Sequence, residues 1–293
     1  MRIWGKRAAR TGPHFRAKVA GSTVAISVAV LAALPMLASA TSSIIYPPYY
    51  SPVATANGYD VSWPNCSATP PGSSVVSFAI VGIGGGRPFT SNSCAAPEYL
   101  KASDLGMPSL YYNTGYVGAY GRDIVSACTG AVGTAADPSG LDTFGSLKGH
   151  ALSQAERAWE IGCSEAEYGF KIAKAANEPA AYWWADVETG NSWSTSTSLN
   201  QFAIDGMSYA MNVMNTTSSG VVVGGGIYSS PGSWTKLTGR LTFAPTPAAA
   251  TWVASGTCTS SPSSSLAGIS PAVVQNSSYD INGSGTVDAD EAC

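Results

Sequence analysis

The sequence predicts an α/β fold with a parallel sheet, closed into a single-domain barrel and stabilised by disulfides. Three observations predict it. Apolar, β-branched runs alternate with helical patterns along the chain, the mark of strand–helix units and a parallel sheet. About seven such strands follow one another with no internal linker, which favours a closed barrel over an open sheet. Finally, Asp60, Asp186 and Glu188 fall at strand ends, where a barrel gathers its functional groups.

The chain opens outside the fold. Six basic residues (Arg2, Lys6, Arg7, Arg10, Arg16, Lys18) precede an apolar run from Val19 to Leu37 and a small-residue Ala38-Ser39-Ala40 site. This is the plan of a secretory signal peptide over residues 1–40, cleaved after Ala40. An uncleaved anchor is the competing reading, and Pro35 with the Ala-x-Ala site favours cleavage. No later segment is apolar for long enough to span a bilayer, so the mature protein is expected to be secreted, to the exterior or the cell wall, with no membrane contact after cleavage.

Removing the signal leaves nine basic against eighteen acidic residues, a formal charge of −9. Such a surface argues against nucleic acid as a partner. About 250 mature residues suffice for one large domain, and a monomer is expected. Residues 41–57, with Tyr46-Pro47-Pro48-Tyr49-Tyr50 at their centre, lack helical or strand periodicity and read as an extended spacer. The barrel is expected to fill residues 58–293.

The elements follow in order. Asn57-Gly58 signals a turn and residues 59–62 a short strand carrying Asp60, whose other reading is a turn-side aspartate capping backbone amides. Residues 74–83 form a continuous apolar run, as in a buried parallel strand. Gly84-Gly85-Gly86 follows, but its spacing fits neither the dinucleotide fingerprint nor the P-loop, so it reads as a flexible turn. Residues 95–105 look helical and 108–112 form a strand. Residues 151–176 form the longest helix, with Trp159, Cys163, Ala166, Phe170 and Ala173 on one stripe.

The run Tyr182-Trp183-Trp184-Ala185-Asp186-Val187-Glu188 ends in two acids one valine apart. In a strand the period of two puts both on one face, with Cβ atoms roughly 6.5–7 Å apart. Where a hydrophobic wall meets a cleft, one such acid stays protonated while its neighbour ionises, which is the division of labour of a glycosidase. The plainer reading is a solvated polar strand end. A helix over 199–214 and strands at 221–228, 251–254 and 272–274 complete the series.

Six cysteines (Cys66, Cys94, Cys128, Cys163, Cys258, Cys293) in an exported chain read as three disulfides. Sequential pairing is expected because each bridge would then close a loop between neighbouring elements. A zinc site is disfavoured, since no C-x-x-C pair exists. His150 is the only histidine after the signal, in a polar loop before a helix, so a histidine-based metal centre is excluded and any chemistry falls to carboxylates. The tail from Asp280 to Glu291 matches the calcium-loop pattern through Asp280, Asn282, Ser284, Asp288 and Glu291, with no exiting helix after it. Calcium is the one cofactor the sequence raises, and no metal enters the expected catalytic site.

With these pieces placed, the chain resembles the family-25 glycoside hydrolases, the lysozyme-type muramidases, and related glycoside-hydrolase-like domains of exported bacterial proteins. The matching residues are Gly58-Tyr59-Asp60-Val61-Ser62 and Asp186-Val187-Glu188, with weaker matches at 106–112, at Gly226-Ile227-Tyr228-Ser229 with Trp234, and at Trp252-Val253-Ala254. The resemblance implies an irregular (TIM-like) β/α barrel that cuts β-1,4 bonds of peptidoglycan or a related glycan. It implies Glu188 as general acid, Asp186 and Asp60 as supporting carboxylates, and Tyr112 and Tyr228 against the sugar. It also implies a second reading of the tail, in which residues 285–288 form the last strand and Asp288 faces the same cleft. Two departures alter the cleft wall: Trp63-Pro64-Asn65-Cys66 replaces the usual glutamine after the first motif, and Gly84-Gly85-Gly86 replaces an acid after the second strand. A non-catalytic wall- or glycan-binding protein on the same barrel is the alternative, with Trp183, Trp184 and Trp193 as sugar-stacking or core residues.

Overall fold

A computed structural model describes residues 43–293 apart from 52, 130–143, 145–146, 217–221, 259–264 and 281–285. The expected signal peptide, residues 1–40, lies outside the described residues. Eight strands form a closed barrel in chain order: β1 (Ala56–Val61), β2 (Phe78–Gly82), β3 (Ser109–Asn113), β4 (Trp183–Asp186), β5 (Gly225–Ser229), β6 (Ala250–Ala254), β7 (Val273–Asp280) and β8 (Thr286–Ala292). Pairs from β1–β2 through β6–β7 are parallel. β8 pairs antiparallel with both β7 and β1. It follows β7 by a short connection, which can only return antiparallel, whereas the earlier strands are joined by long crossovers. The barrel is therefore irregular in its closing strand, and the expected α/β barrel is observed.

Helices α1 (Ala95–Ala102), α2 (His150–Ala176), α3 (Thr197–Tyr209) and α4 (Pro231–Thr238) flank the strands. Alternation divides each strand between two cores. Phe78, Ile80, Trp184, Trp252 and Val273 fill the barrel interior, whereas Tyr59, Val81, Leu110, Trp183 and Val253 join the helices in the outer layer. The predicted stripe of α2 is buried at Trp159, Cys163, Ala166 and Ala173. The closest helix contact, though, is made by glycines. A Cβ on Gly162 would lie 1.8 Å from the Ala203 carbonyl oxygen, and one on Gly206 would lie 2.0 Å from that of Trp159. α2 and α3 thus cross backbone to backbone, which only glycine permits.

All three bridges form in sequential order, Cys66–Cys94, Cys128–Cys163 and Cys258–Cys293. Several boundaries differ from expectation. β1 begins at Ala56, so Asn57-Gly58, expected as a turn, lies within the strand; β5 begins at Gly225 rather than at 221; and the helix expected over 199–214 is α-helical over Thr197–Tyr209 and π-helical over Ala210–Met214. β2 begins at Phe78 because Val75 and Val76 donate to the Gly72 carbonyl in a turn. More important, the segment expected to be a spacer enters the barrel. The Tyr49 ring stacks on Phe78 with centroids 4.1 Å apart. Its hydroxyl donates to Ser109 Oγ and accepts from Trp184 Nε1, each at 3.0 Å, and Tyr182 donates to the Ile45 carbonyl at 2.6 Å. These partners lie at the amino-terminal ends of the strands, so the tyrosine segment fills that end. A Pro/Tyr run without periodicity cannot announce this, because the partners that bury it come from distant strands.

Candidate functional site

The opposite mouth of the barrel gathers carboxyl groups. Asp60 of β1 and Asp186 of β4 point inward and are 7% and 5% exposed. Glu188, two residues past Asp186 on the same side, is half-buried. β8 adds Asp288, paired in register with Asp60, and Asp290, paired with Gly58 and Gln275. Asp60, Asp186, Glu188 and Asp288 are thus brought together as the sequence suggests. Asp290 is a further member, 2% exposed, that the motifs did not single out. Its two-residue spacing from Asp288 was the available signal.

Polar side chains hold these acids. Asn113 Nδ2 donates to Asp186 Oδ2 at 2.5 Å, while Asp186 Oδ1 is buried with no partner. Thr114 Oγ1 and Asn191 Nδ2 bind the Asp186 carbonyl at 2.5 and 3.0 Å. Tyr228 donates to Gln275 Oε1 at 2.8 Å, and Gln275 Nε2 donates to Asp60 Oδ2 at 2.9 Å. Trp252 Nε1 donates to Asp290 Oδ1 at 2.9 Å. Among the described residues nothing hydrogen-bonds the Glu188 carboxylate. Its backbone carbonyl is fixed by Trp193 Nε1 at 2.8 Å and by the Asn191 N–H at 3.1 Å.

Burial and crowding move every one of these acids upward. Burial, then the Glu188 charge, lifts Asp186 to about 8 against the opposing amides of Asn113 and Asn191. Burial and Asp288 lift Asp60 to about 7, with Gln275 and Asp290 opposing. Asp290 is raised well above the carboxylate range by burial first and then by Asp60. Asp290 Oδ2 is buried with no hydrogen-bond partner among the described residues, so ionising Asp290 as well as Asp60 would leave two charges uncompensated side by side. Glu188 is raised by burial and by Asp288, and Asp288, at the open rim, is raised by partial burial. Among the described residues no cation is paired with the cluster, so burial and mutual repulsion both favour the protonated forms.

Of the two tyrosines expected against the sugar, Tyr228 belongs to this network and Tyr112 does not. Tyr112 faces the outer layer, 4% exposed, with its ring beside Trp183 and Gly169 of α2. The period of two explains the correction: its neighbours Tyr111 and Asn113 take the inward face. Tyr111 packs inward against Trp252, and burial and the nearby Asp60 charge raise it strongly, so it joins Tyr228 on the site side of the strands. Trp183 and Trp184 are buried core, and Trp193 braces Glu188. His150 starts α2, exposed.

For the calcium pattern, Asn282 and Ser284 lie outside the described residues. Asp280 ends β7, and Asp288 and Glu291, three residues apart on β8, face opposite sides of the strand. Glu291 Oε2 accepts from Asn276 Nδ2 at 3.3 Å. Among the described residues no group of three His, Cys, Asp or Glu side chains is set to hold a metal ion.

The fold and site thus define a closed mixed barrel with a proton-holding carboxyl cluster at one mouth. No family model matches the chain, and no curated protein is similar to it in sequence. Among solved structures it is similar to a muramidase from Trichobolus zukalii, with 17% identity over 81% of this chain and 93% of that one and a TM-score of 0.48. It is also similar to a muramidase from Acremonium alcalophilum (16%, 80% and 92%, 0.45) and a family GH25 lysozyme from Aspergillus fumigatus (13%, 82% and 94%, 0.46). Likenesses this remote do not assign a function.

Proposed function

We propose that the chain is a secreted glycoside hydrolase that cleaves β-1,4 bonds of peptidoglycan, with Glu188 as general acid. One observation carries the reading: Glu188 is half-buried at the barrel mouth, two residues past Asp186, its carboxyl free of hydrogen bonds among the described residues and raised above its ordinary value by burial and then by Asp288. A general acid needs a raised carboxyl and an open path to the leaving oxygen; burial and Asp288 push Glu188 upward, and its half-buried place at the rim supplies the path. Asp186, pinned by Asn113 and raised to about 8 by burial and then by the Glu188 charge, has neither freedom nor access, which suits orienting the substrate through hydrogen bonds. Asp60, held by Gln275, faces the same space as a second supporting carboxyl group. Tyr228 and Asp288 complete the wall.

Export is supported by the basic-apolar-small opening and by three disulfides. No helix among the described residues is long and apolar enough to cross a membrane. The test is release of reducing ends from purified peptidoglycan by residues 41–293, with Glu188→Gln as the paired control. Release that falls by about 10²–10⁴ in the variant is expected. Wall binding without release by either protein would overturn the hydrolase reading in favour of a binding protein.

A further inference from the structure

Trp63 is 52% exposed, although the turn that carries it is fixed on several sides. The 3₁₀ turn Trp63–Asn65 starts two residues after β1. Asn65 Oδ1 accepts from the Ser62 N–H at 3.2 Å, and Asn65 Nδ2 donates to the Thr286 carbonyl of β8 at 3.0 Å. The Cys66–Cys94 bridge ties the end of the turn to the start of α1. A large aromatic held out of the core on a braced turn has been given a direction, since a mobile loop would let it fold back and bury.

What lies beside it is backbone. A Cβ on Gly86, at φ +78°, would stand 3.1 Å from Trp63 Nε1, so the indole edge borders the glycine turn. Gly84 is buried beneath the turn, where a Cβ would lie 2.7 Å from Asn113 Oδ1, and Gly85, part-exposed beside Gly86, has no room for one either, 2.7 Å from the Ser91 carbonyl oxygen. The turn is joined directly to the acids, because Asn113 Oδ1 accepts from the Gly86 N–H at 3.0 Å while its Nδ2 binds Asp186. Among the described residues Trp63 Nε1 donates to no protein group. The result is an exposed indole face with a free N–H, next to a floor without side chains, one asparagine away from the paired acids.

We propose that Trp63 and the Gly85–Gly86 backbone beside it form a sugar-binding subsite, the indole stacking on one pyranose ring of the glycan and fixing where the chain enters the cleft. Apolar C–H faces of a pyranose match an aromatic plane, the free indole N–H suits a ring hydroxyl, and the glycine floor lets the sugar lie against backbone. The subsite rests on the glycan reading of the acids but does not require turnover. Binding of a soluble peptidoglycan glycan fragment is measured by calorimetry for the parent, Trp63→Ala, Trp63→Phe and Glu188→Gln, together with KM and kcat on peptidoglycan.

Trp63→Ala is expected to weaken binding tenfold or more and to raise KM with kcat changed less than threefold. Trp63→Phe should recover most of the loss, and melting temperatures should match because Trp63 is outside the core. Equal binding by parent and Trp63→Ala, or no binding of the fragment by the parent, would overturn the subsite. Loss of binding in Trp63→Ala, with no turnover by the parent, would uphold the subsite and remove only the hydrolase reading. Turnover that needs Glu188 but ignores Trp63 in KM and binding would do the reverse.

Discussion

Raising the pH from 5 to 8 should destabilise this protein, and Asp186→Asn should blunt the effect. Asp186 moves from an ordinary value of 3.8 to about 8 on folding, so between those limits the folded state holds a proton the unfolded chain has lost. Stability is then fully present below about pH 4 and is lost as pH rises through the folded value. For one isolated group, a shift of roughly four units corresponds to about 5 kcal/mol. Asp60, lifted to about 7, and Glu188, also raised, share the cluster's protons with it, and water entering on ionisation relieves part of the cost. A total loss of about 3–5 kcal/mol is expected. At roughly 2–4 °C per kcal/mol for a domain of this size, the melting temperature should fall by about 10 °C. Thermal melts followed by circular dichroism at constant ionic strength read this directly.

The neutral amide of Asp186→Asn has the donor and acceptor layout of the protonated acid, so Asn113 keeps its acceptor and the orphaned Oδ1 position becomes an N–H. The two curves should cross, with the variant within about 1 kcal/mol of the parent at pH 5 and more stable at pH 8. A melting temperature that is flat or rises between pH 5 and 8, or a variant curve parallel to the parent's, would refute the account of the cluster.

Two predictions concern the scaffold. Tyr49→Ala should destabilise the barrel by about 2–4 kcal/mol, since it empties a partly buried site against Phe78 and leaves Ser109 and Trp184 without their partner. Tyr49→Phe, keeping the stack on Phe78, should cost only about 1–2 kcal/mol; denaturant titration separates the two, and equal, negligible effects would show that the segment is a spacer. Gly206→Ala, a change that usually favours a helix by about 1 kcal/mol, should here destabilise by more than about 2 kcal/mol because its Cβ would meet the Trp159 carbonyl. A variant as stable as the parent would mean that α2 and α3 do not cross this closely.

Much of the molecule follows from local patterning. Alternation of apolar strands with the α2 stripe establishes the α/β class, because each element must bury one periodic face. The single residue between Asp186 and Glu188 puts both on one side of a strand, whatever surrounds it. Three bridges between cysteines adjacent in sequence suit an order in which neighbouring elements are neighbours in space. Other features depend on contacts that no local pattern encodes. Tyr112 and Tyr111 are adjacent and chemically alike, and only the register of β3 between β2 and β4 decides which of them meets the acids. Asp290 matters because antiparallel pairing of β8 with β1 sets it beneath Asp60, more than two hundred residues away in sequence. The tyrosine segment at 46–50 has no period of its own, and its burial depends on Phe78, Ser109 and Trp184 arriving from three strands. Residue type and spacing thus determined which chemistry the chain carries, while closure of the barrel decided which side chains share the mouth, because only closure brings distant strands within hydrogen-bonding distance.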